Sequence, residues 1–525
     1  MNNPRKCILF LVASLFCTCA FSADDKALQL RFDIARIVVD GNTLLPQAEI
    51  DRSILPFQGG GKSFADVQRA LDAVQKLYMD RGYGAVEVLL PEQELQNGVV
   101  HLKVVEARIL SVKVQGNKRY SAENVRRSVP SVRTGITPRA RDIAADLRLA
   151  NQNPGKHTEV VLKEGEGEGD VDVLMKVREN KVQQVALSLD NTGTRETGVY
   201  RAGISYRNYN LFDRDQVLNL SYMTSPQRAG SVTILGAGYQ IPLYGRSSYI
   251  DLTAGYSSVN SGVVQNLFNV SGSGTMLGAH YAYLLPGLSD SFEQKLGFGL
   301  DYRALTNNVT TVNGGPSLIP GITIHPVELS YDGTRKLARG EANVHFAVSQ
   351  NINSSDTSIK VSRSNGKAAY RIYRYGANYW HAWQSDWQLH LDWHGQWSND
   401  SLVSSEQFGA GGAYSVRGFN EREVADDNGY STSIELYMPD QGGKLARVHL
   451  RPLLFTESAK VWRNVPLPGE PPKQIIGNIG LGLRGTAYDK LNVRLDWAWV
   501  VDSTLTGNGH RPGDHVLHFG MVYVF

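Results

Sequence analysis

The 525-residue sequence predicts a mainly β protein, in which a 16-stranded transmembrane β-barrel follows two small α+β modules. Three observations lead to this fold class. The chain begins with the pattern of an export signal, and the part that follows repeats itself once. From about residue 182 onward, apolar and polar residues alternate with the period of a β-strand. After the signal no run approaches the ~18 apolar residues of a spanning helix, so a membrane form of this chain requires a barrel.

Residues 1–22 are predicted to be a secretory signal peptide. Two basic residues precede an apolar run that ends at Cys17, and Ala20-Phe-Ser22 supplies a small-residue cleavage site. This order of features is that of a signal peptide, and the apolar run is too short to cross a membrane. A short amino-terminal segment, residues 23–31, is expected between the cleavage site and the first module.

The cysteines and the charge exclude several classes of function. All three cysteines lie within the predicted signal, at Cys7, Cys17 and Cys19. The exported chain is therefore expected to have no disulfide, thiolate zinc site or cysteine nucleophile. The 54 basic and 51 acidic residues give a net charge of +3, without the basic excess typical of nucleic-acid binders. We expect no nucleic-acid partner, no metal and no cofactor.

An internal repeat predicts the two α+β modules, at residues 32–107 and 108–180. Val39-Asp-Gly-Asn42 is echoed 75 residues later by Val114-Gln-Gly-Asn117, and each copy ends a strand with a Gly-Asn turn. Such a module contains a three-stranded sheet with a free edge, which favours docking of an extended peptide over a spacer role. The strands are expected at Ile34–Val39, Val86–Leu90, Val99–Val105, Leu110–Val114, Val160–Leu162 and Val171–Val177, and the helices at Pro46–Leu55, Phe64–Tyr78, Ala122–Val129 and Pro138–Asn151.

Residues 181–525 are predicted to form the barrel. The clearest strand is Trp387–Ser398, where apolar residues such as Trp393 alternate with histidine, aspartate and glutamine. Aromatic residues collect near the ends of such strands, as membrane-interface girdles require, and the polar face suits a water-filled lumen. The stretch accommodates sixteen strands of ~10 residues with their turns. A soluble periplasmic β-domain would also alternate, and it is the alternative interpretation.

Three patterns resemble chemical sites but are interpreted as parts of the scaffold. Gly59-Gly-Gly-Lys-Ser63 lacks the first glycine of a phosphate-binding loop and is expected to link two helices. His390, Asp392 and His394 alternate along one strand, with Cβ atoms ~7 Å apart, which is far for a single metal ion. The acidic stretch at residues 165–170 is expected to be a loop. Because no nucleophile elbow or zinc-binding helix motif occurs, we do not expect an enzyme.

Two stretches carry a family resemblance. Arg81-Gly-Tyr-Gly-Ala-Val-Glu-Val-Leu-Leu-Pro-Glu-Gln-Glu-Leu-Gln-Asn-Gly98 resembles the first POTRA (polypeptide-transport-associated) module of two-partner secretion transporters. Ser415-Val-Arg-Gly-Phe419 is similar to the motif at the tip of their inward-folded sixth loop. These transporters are also called the haemolysin activator/secretion family and belong to the BamA-like barrel superfamily. The resemblance implies two periplasmic POTRA modules and an outer-membrane barrel whose inward loop lies near residues 409–430.

The resemblance also implies a contact between this loop and the barrel wall. The loop arginine of the family reaches an acidic residue in a wall motif, Phe-x-Asp-x-Gly, where this chain has Phe455-Thr-Glu-Ser-Ala459. Glu457 would be the acid, preceded by Phe455, and a guanidinium can bind a carboxylate through two parallel hydrogen bonds. Asp496 is an alternative partner for the arginine. The loop motif itself corresponds to Val416, Arg417, Gly418 and Phe419.

The end of the chain resembles the signal by which the barrel-assembly machinery recognises its clients. The aromatic residues implied are Phe519, Tyr523 and Phe525. Family members often begin with a helix that plugs the pore. Because few residues separate the predicted cleavage site from the first strand, we expect no plug helix here, which leaves pore closure to the inward loop.

The resemblance implies an outer-membrane translocator that recognises a partner exoprotein in the periplasm and secretes it through the barrel. Its expected partners are that exoprotein, with an amino-terminal secretion domain, outer-membrane lipid, and the barrel-assembly machinery during biogenesis. One alternative is an insertase of the BamA-like superfamily, which assembles other outer-membrane proteins. Another is a passive porin, although a porin has no need of periplasmic modules or of the inward loop.

Overall fold

The computed structural model describes residues 31–264, 268–289, 291–313, 316–442, 447–466, 468–507 and 509–525. The predicted signal peptide, its cysteines and the region of a plug helix lie outside these residues. The chain forms two compact units, of which the first ends at Ala107 and also includes Gly167–Gly169. The second comprises Arg108–Glu166 and Asp170–Phe525. Among the described residues, no helix combines the length and the apolar character needed to cross a membrane.

The first unit is an α+β module built on a three-stranded sheet. Strand β2 runs parallel to the central strand β5, and β4 is antiparallel to it on the other side. Helix α2 begins with a capping box, in which Ser63 and Asp66 bind each other's backbone amides. The elements are β1 (Arg31–Ile34), β2 (Arg36–Asp40), α1 (Gln47–Ile54), a 3₁₀ turn (Leu55–Phe57), β3 (Gly59–Ser63), α2 (Phe64–Asp80), β4 (Val86–Leu89) and β5 (Val99–Glu106).

The glycine-rich stretch of this module lies between two helices, as expected. Gly59–Ser63 links them as strand β3, which pairs with β1 and was not expected. The carboxylate of Asp33 accepts a hydrogen bond of 2.8 Å from the amide of Gly61, which secures the pairing. Because β1 ends at Ile34, the single strand expected at Ile34–Val39 is divided into two.

The second module repeats the first. Strand β6 is parallel to the central β8, and β7 is antiparallel to it. In both copies a glutamate at the end of the central strand holds the Gly-Asn turn: Glu106 accepts the amides of Thr43 and Leu44, and Glu179 those of residues 118–120. The elements are β6 (Arg108–Gln115), α3 (Ala122–Ser128), α4 (Ala140–Ala150), β7 (Lys156–Glu164) and β8 (Asp170–Glu179).

The rest of the chain forms a closed antiparallel barrel of sixteen strands, which confirms the predicted fold class. The short strand β16 and the longer β17 follow one another along β15 and occupy a single position in the ring, and β27 closes the barrel against β9. The strands are β9 (Gln183–Asp190), β10 (Arg201–Leu211), β11 (Gln216–Thr224), β12 (Val232–Leu243), β13 (Ser248–Val264), β14 (Phe268–Ser289), β15 (Phe292–Thr311), β16 (Ile322–Ile324), β17 (Pro326–Leu337), β18 (Gly340–Asn351), β19 (Arg371–Ala382), β20 (Gln388–Trp397), β23 (Asn428–Tyr437), β24 (Val448–Trp462), β25 (Lys473–Ala487), β26 (Leu491–Ser503) and β27 (His515–Val524).

Other elements lie in the connections of the barrel. A 3₁₀ turn (Ala229–Ser231) precedes β12, and helix α5 (Asp356–Ser362) lies between β18 and β19. The long segment between β20 and β23, residues 398–427, contains a small hairpin of β21 (Phe408–Ala410) and β22 (Val424–Asp426). We call residues 398–427 the inward loop; it begins earlier than the range near 409–430 taken from the sequence, and residues 428–430 belong to β23.

The alternation of the sequence becomes the two faces of the barrel wall. On β20, Leu391, Trp393 and Trp397 are 36%, 45% and 41% exposed on the outer face. The intervening Gln396 is buried on the inner face, where its amide donates to the carbonyl of Glu406. An outer belt of exposed apolar side chains is the surface that a lipid bilayer covers.

A buried ion pair fastens the second module to the barrel. The ammonium of Lys156, on β7, lies 2.7 Å from Asp215 in the turn between β10 and β11. It also donates to Asn124 at 2.6 Å, and the hydroxyl of Tyr244 donates to Asp215 at 2.8 Å. Burial lowers the pKa of Lys156, although Asp215 acts in the opposite direction. The ion pair is buried, and together with these hydrogen bonds it joins the second module to the turns of the barrel.

Candidate functional site

The inward loop carries its sequence motif to a buried position inside the barrel. The β21–β22 hairpin forms the stem of the loop, and Val416–Phe419 lies beyond it at the tip. Val416 and Phe419 are 0% exposed and pack in an apolar cluster with Ala459 and Val461 of β24. The alanine that stands in place of the family's wall glycine is therefore part of the seat of the loop.

Gly418 serves this tip through its backbone. Its φ is +105°, a conformation that residues with a side chain rarely adopt. A Cβ atom at this position would lie 3.5 Å from Ala498, Asn478 and Val500, which is ordinary contact. The requirement for glycine is therefore conformational, and it turns the chain immediately after Arg417.

Arg417 binds Glu457 with both its backbone and its side chain. The backbone amide donates to Oε2 at 2.6 Å, while Nε and Nη2 donate to Oε1 at 2.8 and 2.6 Å. The ring centroid of Phe455 lies 3.5 Å from the guanidinium carbon, so the cation is also stacked on an aromatic face. The structure thus brings together four residues that were named from the sequence, namely Arg417, Gly418, Phe455 and Glu457.

Two further carboxylates complete the surroundings of the guanidinium. Nη1 donates to Asp496 at 3.2 Å, and Nη2 donates to Glu435 at 2.5 Å. Asp496, the alternative partner considered above, therefore binds Arg417 together with Glu457. The sequence analysis gave Glu435 no role. Glu435 lies two residues after Ser433 on β23 and therefore on the same inner face, and Ser433 is paired with Glu457 in the sheet.

Neighbouring side chains hold these acids in place. Asn478 of β25 donates to Glu457 at 2.9 Å and also to the carbonyl of Arg417. Tyr437 donates to Glu435 at 2.7 Å. Arg484 and Arg494 lie 2.8 and 3.4 Å from the carboxylate of Asp496. Each acid thus has at least one partner besides Arg417.

The residues of the predicted assembly signal lie on and after β27. The ring centroids of Phe519 and Tyr200 are 5.9 Å apart, and those of Tyr523 and Phe525 are 4.9 Å apart. The amide of Phe525 donates to Val185 at 3.0 Å, which continues the pairing of β27 with β9. These residues therefore lie at the seam that closes the barrel.

The patterns that resembled chemical sites have other surroundings. His394 binds Asp392 at 2.8 Å, while the ring of His390 lies 4.5 Å from that of Tyr437. Among the described residues, no group of three or more potential ligands is arranged to hold a metal ion. The acidic stretch at 165–170 closes a turn, in which Gly165 donates to the carbonyl of Asp170.

Two family models match the chain. One, described as haemolysin secretion/activation protein ShlB/FhaC/HecB, matches residues 169–485. The other, described as POTRA domain, ShlB-type, matches residues 32–107.

Several curated proteins are related in sequence. Outer membrane transporter CdiB of Escherichia coli O6:K15:H31 (strain 536 / UPEC) is 28% identical over 170 residues, which cover 32% of this chain and 28% of CdiB. Heme/hemopexin transporter protein HuxB of Haemophilus influenzae (strain 86-028NP) is 21% identical over 428 residues, which cover 78% of this chain and 73% of HuxB. The alignment to the first relative thus spans less than a third of either protein.

Solved structures share the fold. CdiB from Escherichia coli superposes with a TM-score of 0.79 at 20% identity, covering 98% of this chain and 94% of CdiB. BamA from Haemophilus ducreyi lacking POTRA domains 1–3 superposes with a TM-score of 0.51 at 15% identity, covering 94% of this chain and 100% of that one. The fold of the chain is therefore shared with these two proteins.

Proposed function

Because the chain belongs to the haemolysin secretion/activation family of two-partner secretion transporters, we propose that it secretes one partner exoprotein across the outer membrane. The family is one of membrane transporters rather than enzymes, with the barrel in the outer membrane and the POTRA modules in the periplasm. The observation that supports this function best is the inward loop, held inside the barrel through Arg417. A loop bound in the lumen suits a gated passage for a polypeptide.

The POTRA modules would capture the unfolded partner through their sheet edges. In the described residues, each sheet has three strands, with β2 and β4 at the edges of the first and β6 and β7 at the edges of the second. An edge strand offers unpaired backbone groups with which an extended chain can pair. The amino-terminal secretion domain of an exoprotein is the chain that this proposal assigns to them.

Transport would then proceed through the barrel as the inward loop yields the lumen. The loop is attached by hydrogen bonds and ion pairs, which can break and form again without covalent chemistry. No nucleotide is required in this scheme, and folding of the partner outside the cell supplies the direction. Outer-membrane lipid surrounds the barrel, and the barrel-assembly machinery inserts it.

Secretion of a co-expressed exoprotein tests the proposal. In Arg417→Ala, secretion should fall to background while the folded barrel is still found in the outer membrane. Arg195→Ala provides the control, because Arg195 is an exposed arginine in the connection between β9 and β10. Wild-type levels of secretion in Arg417→Ala would remove the loop from the mechanism, and absence of any secreted partner with the wild type would refute the function.

The alternative function is assembly of other outer-membrane proteins. The superposition on BamA favours it at the level of the fold alone. Deletion of the gene distinguishes the two functions. A transporter should leave the outer-membrane protein profile unchanged and remove one protein from the medium, whereas an insertase should deplete several barrels at once.

A further inference from the structure

The inward loop has a second charged contact, which lies before its sequence motif. Glu406 stands two residues ahead of β21, and its side chain is 0% exposed. Its Oε1 accepts a hydrogen bond of 2.8 Å from Nη1 of Arg303 on β15. Its Oε2 lies 3.6 Å from Nη2 of Arg374 on β19. A carboxylate of the loop is thus bound by two arginines of the wall.

The polarity of this contact is the reverse of that at Arg417. There the loop supplies the cation and the wall supplies the acids, whereas here the loop supplies the acid. In the ring of sixteen strands, seven strands separate β15 from β26 in either direction. Arg303 and Asp496 therefore belong to opposite sides of the barrel, and the inward loop reaches both.

The backbone around Glu406 is also fixed. Its amide donates to Val403 at 2.9 Å, and its carbonyl accepts from Gln396 at 2.8 Å. Val403 is 2% exposed and packs with Ile322 and Ile324 of β16. The carboxylate is therefore presented to the arginines by a rigid turn, which lowers the entropic cost of the contact.

Glu406 lies at the boundary of two cavities inside the barrel. A cavity of about 700 Å³ is lined by Arg303 and Glu406, and a second of about 770 Å³ is lined by Arg374 and Glu406. Ser405 and Glu406 are the two residues that line both cavities.

We propose that Glu406 is a second anchor of the inward loop, which closes the lumen by binding Arg303 and Arg374 on strands of the wall other than those that bind Arg417. The loop then acts as a strut attached at both ends, and opening the lumen requires both ion-paired contacts to break. This inference concerns closure of the barrel and does not depend on which partner is carried.

The structure also indicates that the wall tolerates loss of this acid. Arg303 has a second partner in Asp301 at 2.6 Å, and Arg374 has one in Glu328 at 3.3 Å. When the charge of Glu406 is removed, both arginines therefore keep a carboxylate on the wall. The variant Glu406→Gln should fold, which heat-modifiable mobility of the barrel in gels verifies.

Ion conductance of the purified full chain in planar bilayers tests the proposal without a partner protein. Glu406→Gln should raise the fraction of time in conducting states by about tenfold or more, since a hydrogen bond to a charged group commonly contributes that much. Glu421→Gln is the matched control, because this loop carboxylate accepts only a backbone hydrogen bond, from Ala413, among the described contacts. Equal conductance of Glu406→Gln, Glu421→Gln and the wild type overturns the proposal.

A double-mutant cycle tests the pairing itself. Arg303→Gln should also raise the conductance, whereas Arg303→Lys should keep most of the closure. The conductance of the double variant, Glu406→Gln with Arg303→Gln, should be close to that of either single variant. Additive effects would show that the two residues act separately and would overturn the assignment. Secretion measured in parallel distinguishes this outcome from failure of the proposed function, because a conducting variant can still secrete.

Discussion

The carboxylate of Glu457 binds Arg417 at both the backbone amide and the guanidinium, so that one residue of the wall fixes the position and the orientation of the loop tip. An aspartate would be shorter by one methylene and could not keep all three hydrogen bonds without movement of the loop. The longer acid of this chain therefore determines how closely its loop approaches β24.

Glu457→Gln should weaken the attachment of the loop tip to the barrel wall. The substitution leaves the guanidinium with Glu435 and Asp496 but removes the charge and one acceptor oxygen of its principal partner, and breaking a buried pair commonly costs about 3–5 kcal/mol. We expect an increase of ion conductance in bilayers and a lower temperature of barrel unfolding. Ser458→Ala is the control, because Ser458 is exposed on the other face of β24. Wild-type values for Glu457→Gln would mean that the other two acids suffice.

Glu179→Ala should release the turn that it holds in the second module. Three backbone amides, those of Lys118, Arg119 and Tyr120, lose their acceptor, and each hydrogen bond to a carboxylate contributes about 1.5–3 kcal/mol. Trypsin should then cleave after Lys118 or Arg119 at least about tenfold faster than in the wild type. Glu164→Ala, at the exposed end of β7, should leave the digestion unchanged. Unaltered cleavage in Glu179→Ala would contradict the role of the glutamate.

Lys156→Met should loosen the second module from the barrel. The substitution leaves Asp215 buried without its cation, a change that commonly destabilises by about 3–5 kcal/mol. Hydrogen exchange of the detergent-solubilised chain should accelerate in β7 and in the turn between β10 and β11. The control is Lys163→Met, an exposed lysine on the same strand. Identical exchange in the two variants would show that apolar packing alone holds the module.

Asp146→Asn should change how the stability of the second module depends on pH. Burial raises the pKa of Asp146 above 3.8, although Ser131 donates a backbone hydrogen bond to it at 2.8 Å. Below pH 3.8 the carboxyl is neutral in both the folded and the unfolded chain. As the pH rises through the raised pKa, the folded state loses stability relative to the asparagine variant, because it must carry a buried charge.

Hydrogen exchange in α4 measures this difference. The difference in hydrogen-exchange protection between the wild type and Asp146→Asn should be small near pH 3.5. It should increase toward pH 6, where the variant is the more protected. Asp142→Asn, on an exposed position of the same helix, should show no such widening. A difference in protection that decreases with rising pH would contradict a raised pKa of Asp146.

The sequence predicts those parts of this molecule that follow from local spacing. Alternation identified the barrel strands, since successive side chains of a strand point to opposite faces. The repeated Gly-Asn turn identified the two modules, because a glycine at positive φ is needed in each, at Gly41 and Gly116. Strand β3 was missed since three glycines carry no pattern, and its pairing depends on Asp33.

The contacts that join distant parts of the chain could not be predicted in this way. Glu406 and Arg303 are 103 residues apart, and they meet only because the inward loop folds into the closed barrel. Lys156 and Asp215 are 59 residues apart, the first on β7 of the second module and the second in a turn of the barrel. The alternation of β23 places Glu435 on the inner face together with Ser433, so the sequence could have shown that Glu435 faces the lumen. It could not have shown that Arg417 is its partner.

The arginines and acids around the loop tip have one more consequence, which concerns their total charge. Glu435, Glu457 and Asp496 carry three negative charges, and Arg417, Arg484 and Arg494 supply three positive ones. When Arg417 withdraws, the wall retains one uncompensated negative charge, and this charge opposes withdrawal. A lysine or arginine of a polypeptide in transit would supply the missing counter-ion. Cargo rich in basic residues would thereby ease the departure of the loop, and its return would follow when the last of them has passed.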